Sequence, residues 1–230
     1  MRIAVAVFPG TNCEHDIVHA LAAAGADADL VWHRETDLSG ADGVVLPGGF
    51  AHGDYLRTGA IARFSPIMAE VERMAEAGSP VLGICNGFQI LCEAGLLPGA
   101  LIANRDLKFI CRPIHLRVES TDSVLTRAAS VGQVLSIPLN SYEGNYVATD
   151  IEAIEDAGDV VLRYSDAEGS VVEATNPNGS TNSIAGITNA GRNVAGLMPH
   201  PERASEAILG SEDGMVLIEG FVASTELVSA

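Results

Sequence analysis

The stretch Gly83-Ile84-Cys85-Asn86-Gly87-Phe88-Gln89 decides how this chain folds. It sets one cysteine between glycines where an apolar run, Val81 to Ile84, gives way to helical sequence from Phe88 to Glu93. The run reads as a buried parallel strand. The thiol therefore sits on a sharp strand-to-helix turn, the geometry that presents the serine of a Gly-x-Ser-x-Gly elbow. Glycine on each side permits a strained backbone and leaves room above the sulfur for a substrate. A helix N-terminus beneath the sulfur favours the thiolate, which is the attacking form.

Outward from this elbow, the first half of the chain alternates strand and helix. Strands are expected at Ile3 to Phe8, Asp29 to Trp32, Gly43 to Leu46 and Val81 to Ile84, and helices at Asp16 to Ala24 (closed by Gly25) and Pro66 to Ala77. That rhythm gives an α/β fold with a mostly parallel central sheet and helices on both faces. Such sheets place ligands at the carboxyl ends of their strands. Phe8-Pro9-Gly10, Leu46-Pro47-Gly48-Gly49 and Ile84-Cys85 are three such ends and should line one crevice. From Asn104 the pattern changes to alternating strands such as Ile114 to Val118, Val160 to Tyr164 and Ile184 to Thr188, an added mixed or antiparallel section. An acidic stretch, Ser205 to Gly214, leads into a final helix through Phe221 with a frayed tail. No linker or repeat divides the chain, so residues 1–230 read as a single domain.

A cysteine nucleophile needs a base. The candidate is His200 in Leu197-Met198-Pro199-His200-Pro201-Glu202, which follows a second apolar run, Val194 to Met198. It emerges from the end of another strand, where it can meet Cys85. Two residues on, Glu202 can hold the imidazole in one tautomer and stabilise its charged form, the third role of triad logic. Pro199 and Pro201 stiffen the chain on both sides.

Gly-x-Cys-x-Gly-x-Gln with a later His-Pro-Glu resembles the class I, triad-type glutamine amidotransferases, whose fold is flavodoxin-like. Further blocks narrow the resemblance: Pro9-Gly10-Thr11-Asn12-Cys13-Glu14, Leu46-Pro47-Gly48-Gly49-Phe50, Gly53-Asp54-Tyr55-Leu56-Arg57-Thr58-Gly59-Ala60-Ile61-Ala62 and Glu143-Gly144-Asn145-Tyr146. They are similar to the family of glutaminase subunits of phosphoribosylformylglycinamidine synthases, over about Ile3 to Phe221. The resemblance implies that Cys85, His200 and Glu202 hydrolyse L-glutamine. It implies too that the oxyanion is held by backbone amides, here Gly49 (with Gly48 as the substitute) and Asn86. Gln89, one helical turn past Cys85, and Phe50 fall in the substrate pocket. The implied partners are a synthetase subunit, which uses ATP and Mg, and a small accessory subunit. No cofactor is implied for this chain, which also lacks a Gly-x-x-x-x-Gly-Lys loop. Asp54, Tyr55 and Arg57 fall at the pocket rim or the synthase contact. Ala51-His52 and Asn140-Ser141-Tyr142 depart from the family pattern, where Ser-Tyr and a histidine are common. The alternatives are a glutaminase subunit of another amidotransferase, and a non-catalytic, chaperone-like binding protein on a related elbow-cysteine fold, which needs no His-Pro-Glu.

The composition narrows the partners. A net charge of −17 over 230 residues opposes nucleic acid and anionic membranes. No apolar stretch reaches membrane-spanning length, and the N-terminal sequence Met1 to Val5 lacks a signal-peptide layout. The four cysteines, Cys13, Cys85, Cys92 and Cys111, lack the density of a disulfide scaffold, so a cytoplasmic location is expected. Cys13, His15, Asp16 and His19 fall short of the spacing of known zinc motifs, and no metal site is assigned. Cys92 and Cys111 read as buried apolar thiols.

Overall fold

A computed structural model of the chain describes residues 1–228. In chain order its elements are β1 (Arg2–Val7), α1 (Glu14–Ala23), β2 (Asp27–Trp32), β3 (Gly43–Leu46), α2 (Pro66–Glu76), β4 (Val81–Ile84), α3 (Asn86–Glu93), β5 (Ala100–Ile102), β6 (Ile110–Val118), β7 (Val134–Ser141), β8 (Asn145–Val147), α4 (Ile151–Asp156), β9 (Val160–Ser165), β10 (Ile184–Thr188), β11 (Val194–Leu197) and α5 (Asp213–Val228). Nine strands form one sheet in the order β2-β1-β3-β4-β11-β10-β9-β6-β7, and β5 pairs with β8 apart from it, among the described residues. From β2 to β11 every neighbour is parallel. From β11 to β7 every neighbour is antiparallel.

The parallel strands are continuous apolar runs because both faces are covered: Val44, Val45, Leu46, Val81, Leu82, Ile84, Val194, Ala195 and Leu197 are all fully buried. In α2, Pro66 takes the first turn, where its missing N–H is not needed, and Ile67, Met68, Val71, Met74 and Ala75 form the buried stripe of an amphipathic helix. By contrast, α3 is buried from Asn86 to Leu91. It lies so close to β3 that a Cβ on Gly87 would stand 1.8 Å from the Leu46 carbonyl oxygen. Only glycine allows that approach.

β11 joins the two halves of the sheet. It returns beside β4 with Leu197 level with Ile84, so the residues following both strands leave the sheet at the same end. The Cys85 N–H donates to the Leu197 carbonyl at 2.8 Å.

Three expectations need correction. β6 begins at Ile110 rather than Ile114, because Pro113 stands opposite Pro138 of β7, so the prolines interrupt the sequence signal without ending the pairing. The final helix continues past Phe221 to Val228 in place of a frayed tail, and residues 229–230 lie outside the described ones. Cys111 is exposed and Cys92 only partly buried. The first residues of β6 pair with β7 but not with β9, and residues 111–113 are exposed, Cys111 among them.

Candidate active site

Cys85 is the single residue between β4 and α3, and it adopts φ 51°, ψ −105°. A non-glycine residue at such angles is strained and is held there by its surroundings. Those surroundings are a chain of side-chain bonds. The Asn86 side chain accepts from the Ala51 N–H at 3.0 Å and donates to Gln89 Oε1 at 2.9 Å. Gln89 in turn donates to the Glu143 carbonyl at 2.6 Å. The elbow is thereby tied on one side to the glycine turn after β3 and on the other to the turn between β7 and β8. That second turn rests on a buried polar network. Asn104 accepts from the Gly144 N–H at 3.0 Å and donates to the Ser141 carbonyl at 2.8 Å, while Asn178 donates to the Gly144 carbonyl at 2.7 Å.

Past the end of β11, Pro199 and Pro201 carry His200, whose N–H donates to the Pro138 carbonyl of β7 at 2.8 Å. Its Nδ1 stands 2.6 Å from Glu202 Oε1, with both side chains buried. A carboxylate only accepts, so Nδ1 carries a proton toward it and Nε2 is the nitrogen left for another partner. Burial opposes the imidazolium, yet the charges of Glu202 and then Cys85 hold the His200 pKa well above the ordinary histidine value. Nε2 is buried and makes no hydrogen bond of normal geometry, although Cys13 and Cys85 both lie close enough to favour its protonation.

These groups share one cavity of about 230 Å³. Cys85, Gln89, His200, Gly49 and Phe50 line it, and Glu202 stands behind His200. Gly48 lies deeper: a Cβ there would stand 2.7 Å from His200 Cε1. The glycine turn is bridged to the β1–α1 loop by Asn12 N–H to the Gly48 carbonyl at 3.3 Å and Phe50 N–H to the Gly10 carbonyl at 2.8 Å. The Gly49 amide lies between these two bonds and takes part in neither. Asn86 opens α3, so its amide has no acceptor within the helix. Both are suited to receive an oxyanion formed on a substrate of Cys85.

The chain resembles known proteins over most of its length. Residues 1–213 match the model of the CobB/CobQ-like glutamine amidotransferase domain. The chain is 51% identical to the phosphoribosylformylglycinamidine synthase subunit PurQ of Rubrobacter xylanophilus, over 99% of this chain and 100% of that one. It is 56% identical to the PurQ subunit of Chlorobium luteolum, over 93% and 94% of the two. The chain belongs to the PurQ family of glutamine amidotransferases. Among solved structures it superposes on a chain of PurLQS from Thermotoga maritima with TM-score 0.87 and 42% identity, covering 96% of this chain and 97% of that one.

Several lining residues of this PurQ-family cavity carried no assigned role in the sequence reading: Asn12, Cys13, Thr58, Phe109, Asn140 and Arg203. Cys13 belongs to a quoted motif and Arg203 directly follows one, but only folding shows that they touch, with Arg203 Nη2 donating to Cys13 Sγ at 3.2 Å. Of the residues weighed for a metal, His15, Asp16 and His19 are exposed. Cys13 instead joins His200 and Glu202, with ligand-capable atoms within 4.8 Å of one another. In that group the Glu202 carboxylate is already engaged by the His200 imidazole. Of the block from Gly53 to Ala62, Asp54 lines the cavity, Tyr55 and Leu56 face outward, and Arg57 forms a two-point ion pair with Glu93 at 2.6 and 2.7 Å. His52, one of the departures from the family pattern, packs edge-on against His33 with ring centroids 5.3 Å apart.

Proposed function

We propose that this chain is the glutaminase subunit of a phosphoribosylformylglycinamidine synthase, working with a synthetase subunit and a small accessory subunit. The observation that carries the reading is the buried His200–Glu202 pair, whose Nε2 is left without a partner at a cavity shared with a strained cysteine. The Cys85 thiolate attacks the side-chain carbonyl carbon of L-glutamine, and the amides of Gly49 and Asn86 receive the oxyanion. His200, held protonated by its neighbours, gives its proton to the amide nitrogen. The C–N bond breaks, ammonia leaves, and a glutamyl thioester remains on Cys85. The neutral imidazole then takes a proton from water, which attacks the thioester. The C–S bond breaks, and glutamate departs as the thiolate is restored. Glu202 orients His200 throughout and balances its charge.

We assign no cofactor to this chain. ATP and Mg²⁺ serve the synthetase, which activates formylglycinamide ribonucleotide for attack by the ammonia. Four free thiols accord with a cytoplasmic enzyme. No helix among the described residues is long and apolar enough to cross a membrane.

The direct test is the covalent intermediate. Acid quenching during turnover of glutamine by the assembled complex should leave a glutamyl adduct on the Cys85 peptide, read by mass spectrometry. An adduct on any other residue, or turnover unchanged in Cys85→Ser, would overturn the assignment.

A further inference from the structure

The Asp54 end of the cavity has a carboxylate with nothing to hold. Asp54 lines the same cavity as Cys85, and its Oδ1 is buried without a hydrogen-bond partner. Glu143 lines that end as well and accepts from the Thr58 hydroxyl at 2.9 Å. Neither carboxylate forms a salt bridge among the described residues. The nearby cations are engaged elsewhere, Arg57 with Glu93 and Arg203 with Asp16 and Cys13. The segment around Asp54 keeps a costly backbone, with His52, Gly53, Asp54 and Leu56 all at φ between 54° and 74°. Burial and then the charge of Glu143 push the Asp54 pKa up to about 6. At neutral pH the group is therefore ionised but uncompensated. Asp54 is only partly buried, but a carboxylate with one oxygen shut off from water and no partner is still costly to keep, and in a cavity it is placed to meet a cation.

We propose that Asp54 is the specificity-determining residue for the backbone end of the substrate: its carboxylate receives the α-ammonium group of glutamine, while the side-chain amide reaches Cys85. This rests on the glutaminase reading and adds to it a reason why a free amino acid, rather than any primary amide, is the substrate. The attraction is that of a charge-assisted hydrogen bond in a site of low dielectric.

The test compares L-glutamine with 4-carbamoylbutanoate, which is glutamine without its α-ammonium group, in the assembled synthase. The wild-type complex should favour glutamine by about 10–100-fold in kcat/KM, the worth of a hydrogen bond between charged groups. Asp54→Asn should lose most of that preference, with KM for glutamine rising about 10–100-fold and kcat falling less. Equal use of the two amides by the wild-type complex would overturn the proposal without any variant. An Asp54→Asn complex that is folded by circular dichroism and keeps the wild-type preference would also overturn it. Failure of the wild-type complex to hydrolyse either amide is a different result, and it would remove the glutaminase reading together with this one.

Discussion

In the proposed reaction Cys85 and His200 act as a pair, and each is held by something other than the pair. The elbow fixes the sulfur, Glu202 fixes the imidazole, and the Pro138 carbonyl holds the His200 backbone. The proposed roles differ, His200 moving protons and Glu202 orienting it, so the two should fail differently. His200→Asn should lower the glutaminase rate by about 10²–10⁴-fold. Glu202→Gln should cost about 10–100-fold, as removing an orienting partner commonly does. Glu202 is the first of the charges that raise the His200 pKa. Its neutralisation should therefore move the alkaline limb of the kcat–pH profile toward lower pH. Equal losses with no movement of the limb would assign proton transfer to Glu202 itself. Asp54 makes a separate prediction about stability. Its folded pKa of about 6 lies above the value of 3.8 for a free aspartate, so its charge opposes folding above pH 6, and that opposition vanishes below about pH 4. Asp54→Asn should accordingly stabilise the subunit by about 1 kcal/mol near pH 7, a value reduced by solvent screening, and leave it unchanged at pH 3.5. Chemical denaturation at the two pH values checks this, and a destabilised variant at pH 7 contradicts it. The His200–Glu202 contact and the strand-to-helix turn at Cys85 were legible because each sits in a short local pattern. The contact of Cys13 with Arg203 was not, since it joins residues from opposite ends of the chain.

At the level of elements, the site depends on how closely α3 approaches β3. A methyl group on Gly87 would meet the Leu46 carbonyl at 1.8 Å, and neither partner is a flexible side-chain end. Gly87→Ala should destabilise the fold by about 3 kcal/mol, the upper range for overpacking. It should also displace Cys85 enough to remove most activity. A denaturant midpoint unchanged from wild type would contradict the packing described here. The parallel strands and α2 were readable from sequence because continuous apolar runs and a 3.6-residue stripe are local signals. β6 was cut short in the reading because Pro113 imitates a strand end, and only the opposing Pro138 explains why the ladder continues. The network of Asn104, Asn178 and Ser180 beneath the Glu143 turn was unreadable for a different reason. Its bonds span 34 to 40 residues of sequence, and polar residues in loops resemble solvated turns until they are seen buried.

Across the whole molecule, the nine-stranded sheet places Cys85 at the end of its parallel half and draws one wall of the cavity from its antiparallel half. β11, at the junction, leads into His200. The early alternation of strand and helix gave the parallel half. The later pattern gave the antiparallel half only in outline, since short strands in a meander leave their order open. The central claim is that this chain makes ammonia at Cys85 and passes it to a separate synthetase. The most direct measurement is product formation by the synthase reconstituted with Cys85→Ala, supplied with ATP, Mg²⁺ and formylglycinamide ribonucleotide, and given either glutamine or ammonium as the nitrogen source. The expected result is loss of glutamine-dependent synthesis with ammonium-dependent synthesis close to wild type. An equal loss with both nitrogen sources, or glutamine-dependent synthesis that survives the substitution, would contradict the account.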